Sequence, residues 1–470
     1  MSKSEFNTQS SSAATKNFSG STDNKADTAI NQPFNNESKT LQAKSTQDLK
    51  RFVPVVPREF AALNVDNVIV EDIIFKTLLA QGALTGRELA KKTGLNFPII
   101  ESLLADLKTR LFVAHQSNSG VGDFIYRLTD LGHEKAIAAR DISAYTGTIP
   151  VSFNDYLEAM KQQSIRNEKP NRAMLEKAFD GLIFDETLFD TIGPAVNSGR
   201  GLFLFGEPGN GKTTIAERLS QCFRGSIFIP KALWVEGQIL QLYDPQNHEP
   251  VHKNNEKEPL ISQYDPRWIE IKRPAVMVGG ELTLEALEVN YNSILRVSEA
   301  PLQMKANGGI FLIDDFGRQR MSHVDLLNRW IVPLEKQIDF LTLPNGQKIA
   351  VPFDELIIFS TNLDPNSLVD DAFLRRIPYK INVKDPSEGQ FVAIFKLLCS
   401  KFNIDYQPDV VEYLLEQYYR NQRPFRGCQP RDILLQVINS ADYMGESQPK
   451  LTCAVIDMAC RNYFAAMGKL

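Results

Sequence analysis

The chain has 470 residues, a formal net charge of −5 and a pI near 5.7. This length allows two to four domains, each with its own core. The slightly acidic balance gives no global reason to expect a nucleic-acid-binding protein, and no apolar run approaches the ~20 residues of a transmembrane helix.

The five cysteines are scattered and include no close pair of the metal-binding type. An odd, unpatterned count suits reduced thiols better than a disulfide framework. The N-terminus also lacks the apolar core of a secretory signal. We therefore expect a cytoplasmic protein without membrane insertion.

The first segment is strongly polar. Ser, Thr, Asn and Gln make up 25 of the first 50 residues, and three phenylalanines are the only aromatic residues there. Such a composition cannot bury enough apolar surface to offset the entropy of ordering the chain. The sequence therefore predicts a disordered tail over residues 1–52.

Residues 53–145 change to three helical stretches, a glycine-containing turn between two strands and a further helix. This order resembles a winged helix-turn-helix domain. Between residues 65 and 140 nine acids balance nine bases, and the predicted recognition helix carries Glu101 and Asp106. Phosphates would repel these carboxylates. Nucleic-acid binding through this domain is therefore left open but not favoured over protein contacts.

The remainder divides into three parts. Residues 146–178 are predicted to be a linker with some helix. From residue 179 to 385 strands alternate with helices, which predicts an α/β domain with a parallel sheet. Residues 386–470 contain four helical stretches and little strand, which predicts a separate helical subdomain.

A phosphate-binding motif lies near the start of the α/β domain. Residues 206–213 (GEPGNGKT) fit G-x-x-x-x-G-K-[ST], with an apolar strand before and an amphipathic helix after. In such a loop backbone N–H groups bind phosphate oxygens, the lysine neutralises the β- and γ-phosphates and the hydroxyl ligates Mg²⁺. We therefore expect ATP and Mg²⁺ as cofactors. The predicted nucleotide-binding residues are Gly206, Glu207, Pro208, Gly209, Asn210, Gly211, Lys212, Thr213 and Thr214.

A second apolar strand ends in two adjacent aspartates, and the first of them follows Lys212 by 102 residues. In P-loop ATPases the first acid after such a strand holds Mg²⁺ and the second polarises the attacking water. Asp314, together with Thr213, is therefore the predicted metal ligand and Asp315 the predicted catalytic acid. Asp315 is one methylene shorter than the glutamate of many such enzymes, so a nucleotide switch with poor hydrolysis is the alternative.

Three further polar positions follow in order. Asn362 lies at the tip of a buried strand, Arg375 and Arg376 follow a short helix, and Arg431 lies in the first turn of a later helix. With the two motifs above, this set resembles the AAA+ ATPase family over residues 179–470. The resemblance implies a P-loop parallel sheet with a helical lid, and assigns sensor 1 to Asn362 and sensor 2, which contacts the nucleotide, to Arg431. It also implies a homo-oligomeric ring, usually a hexamer, in which Arg375 or Arg376 reaches the neighbour's site.

A predicted hairpin indicates a smaller group within the AAA+ family. Asn345 and Gly346 are flanked by alternating apolar residues directly before the strand that ends at Asn362. That position is similar to the pre-sensor-1 hairpin clade, which includes MoxR-like ATPases. With the N-terminal winged helix, the chain looks like a bacterial group described as ATPases with chaperone activity. The resemblance implies remodelling of a protein client, and the alternative is a DNA-binding ATPase acting as a regulator or loader.

The long interval between the two motifs predicts a strand-rich insertion with a polar loop over residues 244–264. This loop is either a candidate for gripping a client or a surface decoration. It contains HEPVH, residues 248–252, which matches the H-E-x-x-H pattern of zinc proteases. Pro250 and the loop-forming flanks argue against the helix that such a site requires.

Overall fold

The computed structural model describes residues 51–120, 122–223, 225–252, 264–369, 371–420, 422–446 and 448–465. All of them belong to one unit, Arg51–Leu470. The predicted tail therefore lies outside the described residues except for its last two. Of these, Arg51 forms an ion pair with Glu270, and the ring of Phe52 lies 5.7 Å from that of Trp268.

The first part of the described chain is a helical unit with a small antiparallel sheet. Its elements are α1 (Asn67–Gln81), β1 (Ala83–Thr85), α2 (Gly86–Thr93), α3 (Phe97–Thr109), β2 (Val113–Gly120), β3 (Asp123–Leu128) and α4 (Asp130–Ile142). The strands pair in the order β1–β3–β2. Three helices, a hairpin and a closing helix thus follow one another in the predicted order. Apolar side chains from all four helices and the sheet form the core of this unit.

Residues 146–178, predicted as a linker, contain β4 (Val151–Ser152), α5 (Phe153–Gln162) and α6 (Arg172–Ala178). The Gln163 side chain forms two hydrogen bonds with the backbone of Phe228, at 2.9 and 2.6 Å. The Asp354 carboxylate accepts hydrogen bonds from Ser164 Oγ and the Ile165 N–H. This segment is therefore packed against the α/β domain rather than spanning solvent.

The α/β domain is built on a parallel sheet. Its elements are α7 (Glu186–Ser198), β5 (Leu202–Phe205), α8 (Lys212–Ser220), β6 (Ser226–Pro230), β7 (Ala232–Val235), β8 (Gln238–Gln241), β9 (Trp268–Lys272), β10 (Ala275–Val278), β11 (Asn290–Asn292), β12 (Val297–Glu299), α9 (Leu302–Ala306), β13 (Ile310–Ile313), α10 (His323–Lys336), β14 (Ile338–Thr342), β15 (Lys348–Pro352), β16 (Leu356–Thr361), α11 (Pro365–Leu368), α12 (Asp371–Leu374) and β17 (Tyr379–Asn382). Five strands pair in parallel in the order β10–β13–β16–β5–β17. The predicted α/β fold with a parallel sheet is confirmed.

The sheet is held by a buried aromatic cluster. The ring of Phe359 lies 5.0 Å from that of Phe203 and 4.9 Å from that of Phe316, and Phe311 lies 5.4 Å from Trp330. Because Phe316 directly follows the two aspartates, its burial anchors the turn after β13. Offset and edge-on ring pairs stabilise beyond their buried area.

The remaining strands form smaller sheets beside the parallel one. Strands β11, β12, β8, β7 and β4 make one, β6 pairs with β9, and β14 with β15 forms the predicted hairpin directly before β16. The HEPVH segment is not helical: Pro250 bridges to Ile271, and the buried His248 ring lies between the Asp244 N–H and the Lys305 carbonyl. The helical face of a zinc protease is therefore not formed there. Residues 253–263 of the predicted polar loop lie outside the described residues.

The last part of the chain is helical, as predicted. It contains α13 (Glu388–Lys401), α14 (Pro408–Leu414), α15 (Gln429–Met444) and α16 (Cys453–Phe464). These helices share their own apolar core, and we call residues 386–465 the helical lid. Within the described ranges, no helix combines the length and apolar character that crossing a membrane requires.

Candidate functional site

The predicted phosphate loop connects β5 to α8 at the carboxyl edge of the parallel sheet. Gly206 and Gly209 have φ angles of 135° and 85°, a region that side chains disfavour. A Cβ on Gly206 would lie 2.5 Å from the carbonyl oxygen of Val383, and one on Gly209 would lie 2.5 Å from the sulfur of Cys428. Both positions therefore require glycine for the loop to pass between β17 and the helical lid.

Lys212 is the first residue of α8, and its side chain is buried against the loop. Its Nζ donates hydrogen bonds to the carbonyl oxygens of Gly206 at 2.9 Å and Glu207 at 3.0 Å, and to Asn362 Oδ1 at 2.6 Å. Burial lowers the pKa of the Lys212 ammonium, while the nearby carboxylates of Asp314 and Asp315 oppose that shift. A phosphate group beside Nζ would favour the charged form in the same way.

The two aspartates are linked to residues of the phosphate loop by separate hydrogen bonds. Thr213 Oγ1 donates to Asp314 Oδ2 at 2.7 Å, and Asn362 Nδ2 donates to Asp315 Oδ1 at 3.2 Å. Asn362 also accepts from Lys212, so it connects the lysine to the second acid. Strands β13 and β16 pair in parallel, which brings the aspartates and Asn362 to the same edge of the sheet. The structure thus places all five of these predicted residues together.

The oxygen atoms of Thr213 and Asp314 fit a magnesium site. Mg²⁺ prefers oxygen ligands, keeps several waters, and in nucleotide sites binds one or two protein side chains together with phosphates. A dedicated cage of protein acids is therefore not required. Across the described ranges no group of three or more His, Cys, Asp or Glu side chains forms such a cage. Thr213 and Asp314 would hold the ion, and it would withdraw charge from the phosphates.

A cavity of about 1050 Å³ lies beside the phosphate loop, a size that suits a nucleotide. Both polar and apolar residues line it, and the apolar ones include Leu182, Phe184 and Ile394. The predicted residues that line it are Pro208, Gly209, Asn210, Gly211, Lys212, Thr213, Thr214, Asp314, Asp315, Asn362 and Arg431. Gly206 and Glu207 contribute the carbonyl oxygens that hold Lys212.

Arg375 and Arg376 lie elsewhere. They line a second cavity of about 440 Å³ together with Arg200 and Glu335, and Arg376 pairs with Glu335 at 2.8 Å. The residues lining the nucleotide-sized cavity include neither arginine. Within one chain, the structure therefore does not bring these two predicted catalytic residues to the phosphate loop.

The lid contributes one predicted arginine and one that sequence reasoning missed. Arg431 lines the cavity and pairs with Asp432 at 2.9 Å. Arg426, five residues earlier, pairs with Glu207 of the phosphate loop at 2.9 Å and also with Asp385. No local motif marks Arg426 or Asp385, because their contacts join three separate segments of the chain.

A family model described as a domain of unknown function (DUF8689) matches residues 387–462, which is most of the helical lid. No curated protein matches the chain.

The solved structures that are similar to this chain include two at low identity. NtrX from Brucella abortus is 15% identical with a TM-score of 0.38, over 60% of this chain and 56% of its own. A point mutant of RuvB from Thermotoga maritima is 12% identical with a TM-score of 0.36, over 62% of this chain and 73% of its own. The match thus spans just over half the length of NtrX. At these values neither likeness bears on function.

Proposed function

We propose that this chain is a Mg²⁺-dependent ATPase of the AAA+ type that remodels a protein client or complex. The observation that carries the proposal is the set of contacts at the carboxyl edge of the sheet. Thr213 bonds Asp314, and Lys212 connects through Asn362 to Asp315. Phosphoryl transfer from ATP uses a phosphate loop, a metal-binding oxygen pair and an oriented acid in one place. This site supplies all three.

Each residue has a distinct role in this proposal. Lys212 binds the phosphates through its ammonium, and Asp315 accepts a proton from the attacking water. Asn362 fixes the Asp315 carboxylate through the hydrogen bond from Nδ2. Arg431 faces the same cavity from the lid and contacts the nucleotide from that side. The alternative of a nucleotide switch with poor hydrolysis predicts binding without turnover.

The hairpin β14–β15 supports placement within the pre-sensor-1 hairpin clade, since it directly precedes β16 and Asn362. A protein client is favoured over DNA by the charge balance of the N-terminal helical unit. In α3, Asp106 forms an ion pair with Arg110 at 2.9 Å, and Arg110 also forms an ion pair with Glu71. This arginine is thus neutralised by two acids instead of facing a phosphate backbone.

The position of Arg375 and Arg376 outside the nucleotide-sized cavity supports a role in a neighbouring subunit. Replacing Arg375 or Arg376 by alanine is expected to lower ATP turnover by about 100-fold or more, as for arginines that act across subunits, while ATP binding persists. Mixing either variant with Lys212→Ala protein should partly restore turnover, because each supplies what the other lacks. Phosphate release at varied mixing ratios measures this.

Arg172→Ala is the matched control, since Arg172 is an exposed arginine paired with Glu176 and Asp190. It should turn over like the parent. Absence of restored turnover at every mixing ratio, with ATP binding intact in the Arg375→Ala and Arg376→Ala variants, would argue that neither arginine acts across subunits.

DNA binding is the second candidate function, favoured by the order of helices and strands in residues 67–142. It is tested by a mobility-shift assay with duplex DNA and by ATP turnover with and without that DNA. We expect no shift at low salt and no stimulation. A shift that weakens as salt rises, with faster turnover, would support the DNA-binding ATPase instead.

A further inference from the structure

The segment 426–428 of the lid is joined to the phosphate loop by a dense set of contacts. The Cys428 N–H donates to the Gly209 carbonyl oxygen at 2.8 Å, and the Gly427 N–H donates to Asn210 Oδ1 at 3.2 Å. The Arg426 side chain donates to Glu207 Oε2 at 2.9 Å. Three consecutive lid residues therefore contact three residues of one short loop.

Asp385 closes this arrangement from a third segment. Its Oδ1 accepts from Asn210 Nδ2 at 2.6 Å and also from Arg426. Asp385 lies between β17 and the first lid helix, where the chain passes from the sheet to the lid. One carboxylate thus holds both the loop and the arginine. We call Glu207, Asn210, Asp385 and Arg426 the lid clamp.

The charges of the clamp matter for an anionic ligand. Glu207 and Asp385 place two carboxylates beside a loop whose expected ligand carries several negative charges. Arg426 is the cation that hydrogen-bonds both of them, and its side chain is only 19% exposed. A partly buried guanidinium held by two acids keeps its charge and its geometry.

We propose that Arg426 is a positioning residue of the phosphate site, which neutralises Glu207 and Asp385 and fixes the lid on the loop so that nucleotide phosphates are accepted. The inference rests on the proposed function, because it concerns the same site. Arg426 acts through the loop and the two carboxylates. It is distinct from Arg431, which lines the cavity itself.

Arg426→Gln tests the proposal in the full-length chain, with ATP binding measured by calorimetry and turnover by phosphate release. Because Glu207 is 61% exposed, solvent screens its charge. We therefore expect about a fivefold loss of ATP affinity at low salt. The Michaelis constant should rise with little change in kcat, and the loss should shrink as salt rises.

A second variant separates charge from structure. In Arg426→Gln/Glu207→Gln the repelling carboxylate of Glu207 is removed, so affinity should return to within about twofold of the parent if the charge is the cause. Arg426→Lys keeps the charge and should lose less than Arg426→Gln. Arg420→Gln is the matched control, since Arg420 is a lid arginine that also pairs with acids, namely Glu388, Glu412 and Glu416. It should bind ATP like the parent.

The outcomes separate the inference from the function on which it rests. A parent chain that does not bind ATP overturns the proposed function. A parent that binds ATP, with equal affinity in Arg426→Gln, overturns the clamp alone. The clamp is also overturned if the loss of ATP affinity does not depend on salt and the added Glu207→Gln substitution does not restore the affinity. That pattern indicates a structural role for Arg426.

Discussion

Replacing Lys212 by alanine is expected to abolish measurable ATP binding. The Lys212 ammonium is buried at the start of α8, where it donates hydrogen bonds to two loop carbonyl oxygens and to Asn362 Oδ1. Hydrogen bonds to charged groups contribute more free energy than neutral ones. Loss of this cation should therefore lower the affinity for ATP by about 100-fold or more. Calorimetric titration of the full-length chain with ATP and Mg²⁺ measures the change.

Two controls accompany this measurement. Lys169→Ala removes a lysine that also donates to a backbone carbonyl, that of Asn197, but lies outside the residues that line the nucleotide-sized cavity. It should bind ATP like the parent. Thermal unfolding without nucleotide should be similar in both variants, and ATP should raise the midpoint of the parent and of Lys169→Ala but not of Lys212→Ala. Unchanged binding in Lys212→Ala would contradict the assignment of the phosphate site.

Replacing Asp315 by asparagine is expected to separate binding from hydrolysis. The variant keeps Lys212, Thr213 and Asp314, so ATP affinity should stay close to that of the parent. It loses the carboxylate that accepts the proton, and general-base catalysis is typically worth a factor of about 10²–10⁴. Turnover should therefore fall by about 100-fold or more, measured as phosphate release at saturating ATP.

The backbone conformation at Asp315 accepts asparagine without strain. Its φ is 50°, in the left-handed region that asparagine and aspartate tolerate better than other side chains. Asparagine therefore adds no backbone strain. Asp325→Asn, an exposed acid in the following helix α10, is the control and should turn over like the parent. Equal, slow turnover in the parent and in Asp315→Asn would instead favour the nucleotide switch.

The centre of the site could be predicted because its parts are local. The phosphate loop and the two aspartates each follow a buried apolar strand, and that pattern is contained in about a dozen residues. Parallel strands present their carboxyl ends at one edge of a sheet. The pairing of Ile313 with Phe359 in β13 and β16 therefore brings Asn362 to the aspartates, as the order of segments indicated.

The lid clamp could not be predicted, because it depends on how distant segments pack. Asp385 and Arg426 are 41 residues apart, and Asn210 lies 175 residues before Asp385. An arginine in a polar stretch usually indicates only a solvated surface. Its partners become evident once the lid is placed on the loop.

The burial of segment 146–178 could not be predicted either, because it also depends on distant parts of the chain. Its helices are short and its polar residues are typical of a linker, yet Val151 and Tyr156 are fully buried. Tyr156 receives a hydrogen bond from Asn307, which lies 151 residues later. Burial here depends on strands that come from the insertion and from the predicted hairpin, which no local pattern connects to this segment.

Magnesium-dependent hydrolysis of ATP is the activity that we propose for this site. It is tested most directly by phosphate release from the full-length parent chain at saturating ATP, with Mg²⁺ and with a chelator, and with Lys212→Ala as the blank. We expect release above the blank, and this release should require Mg²⁺. A parent that binds ATP but releases phosphate no faster than Lys212→Ala would contradict it.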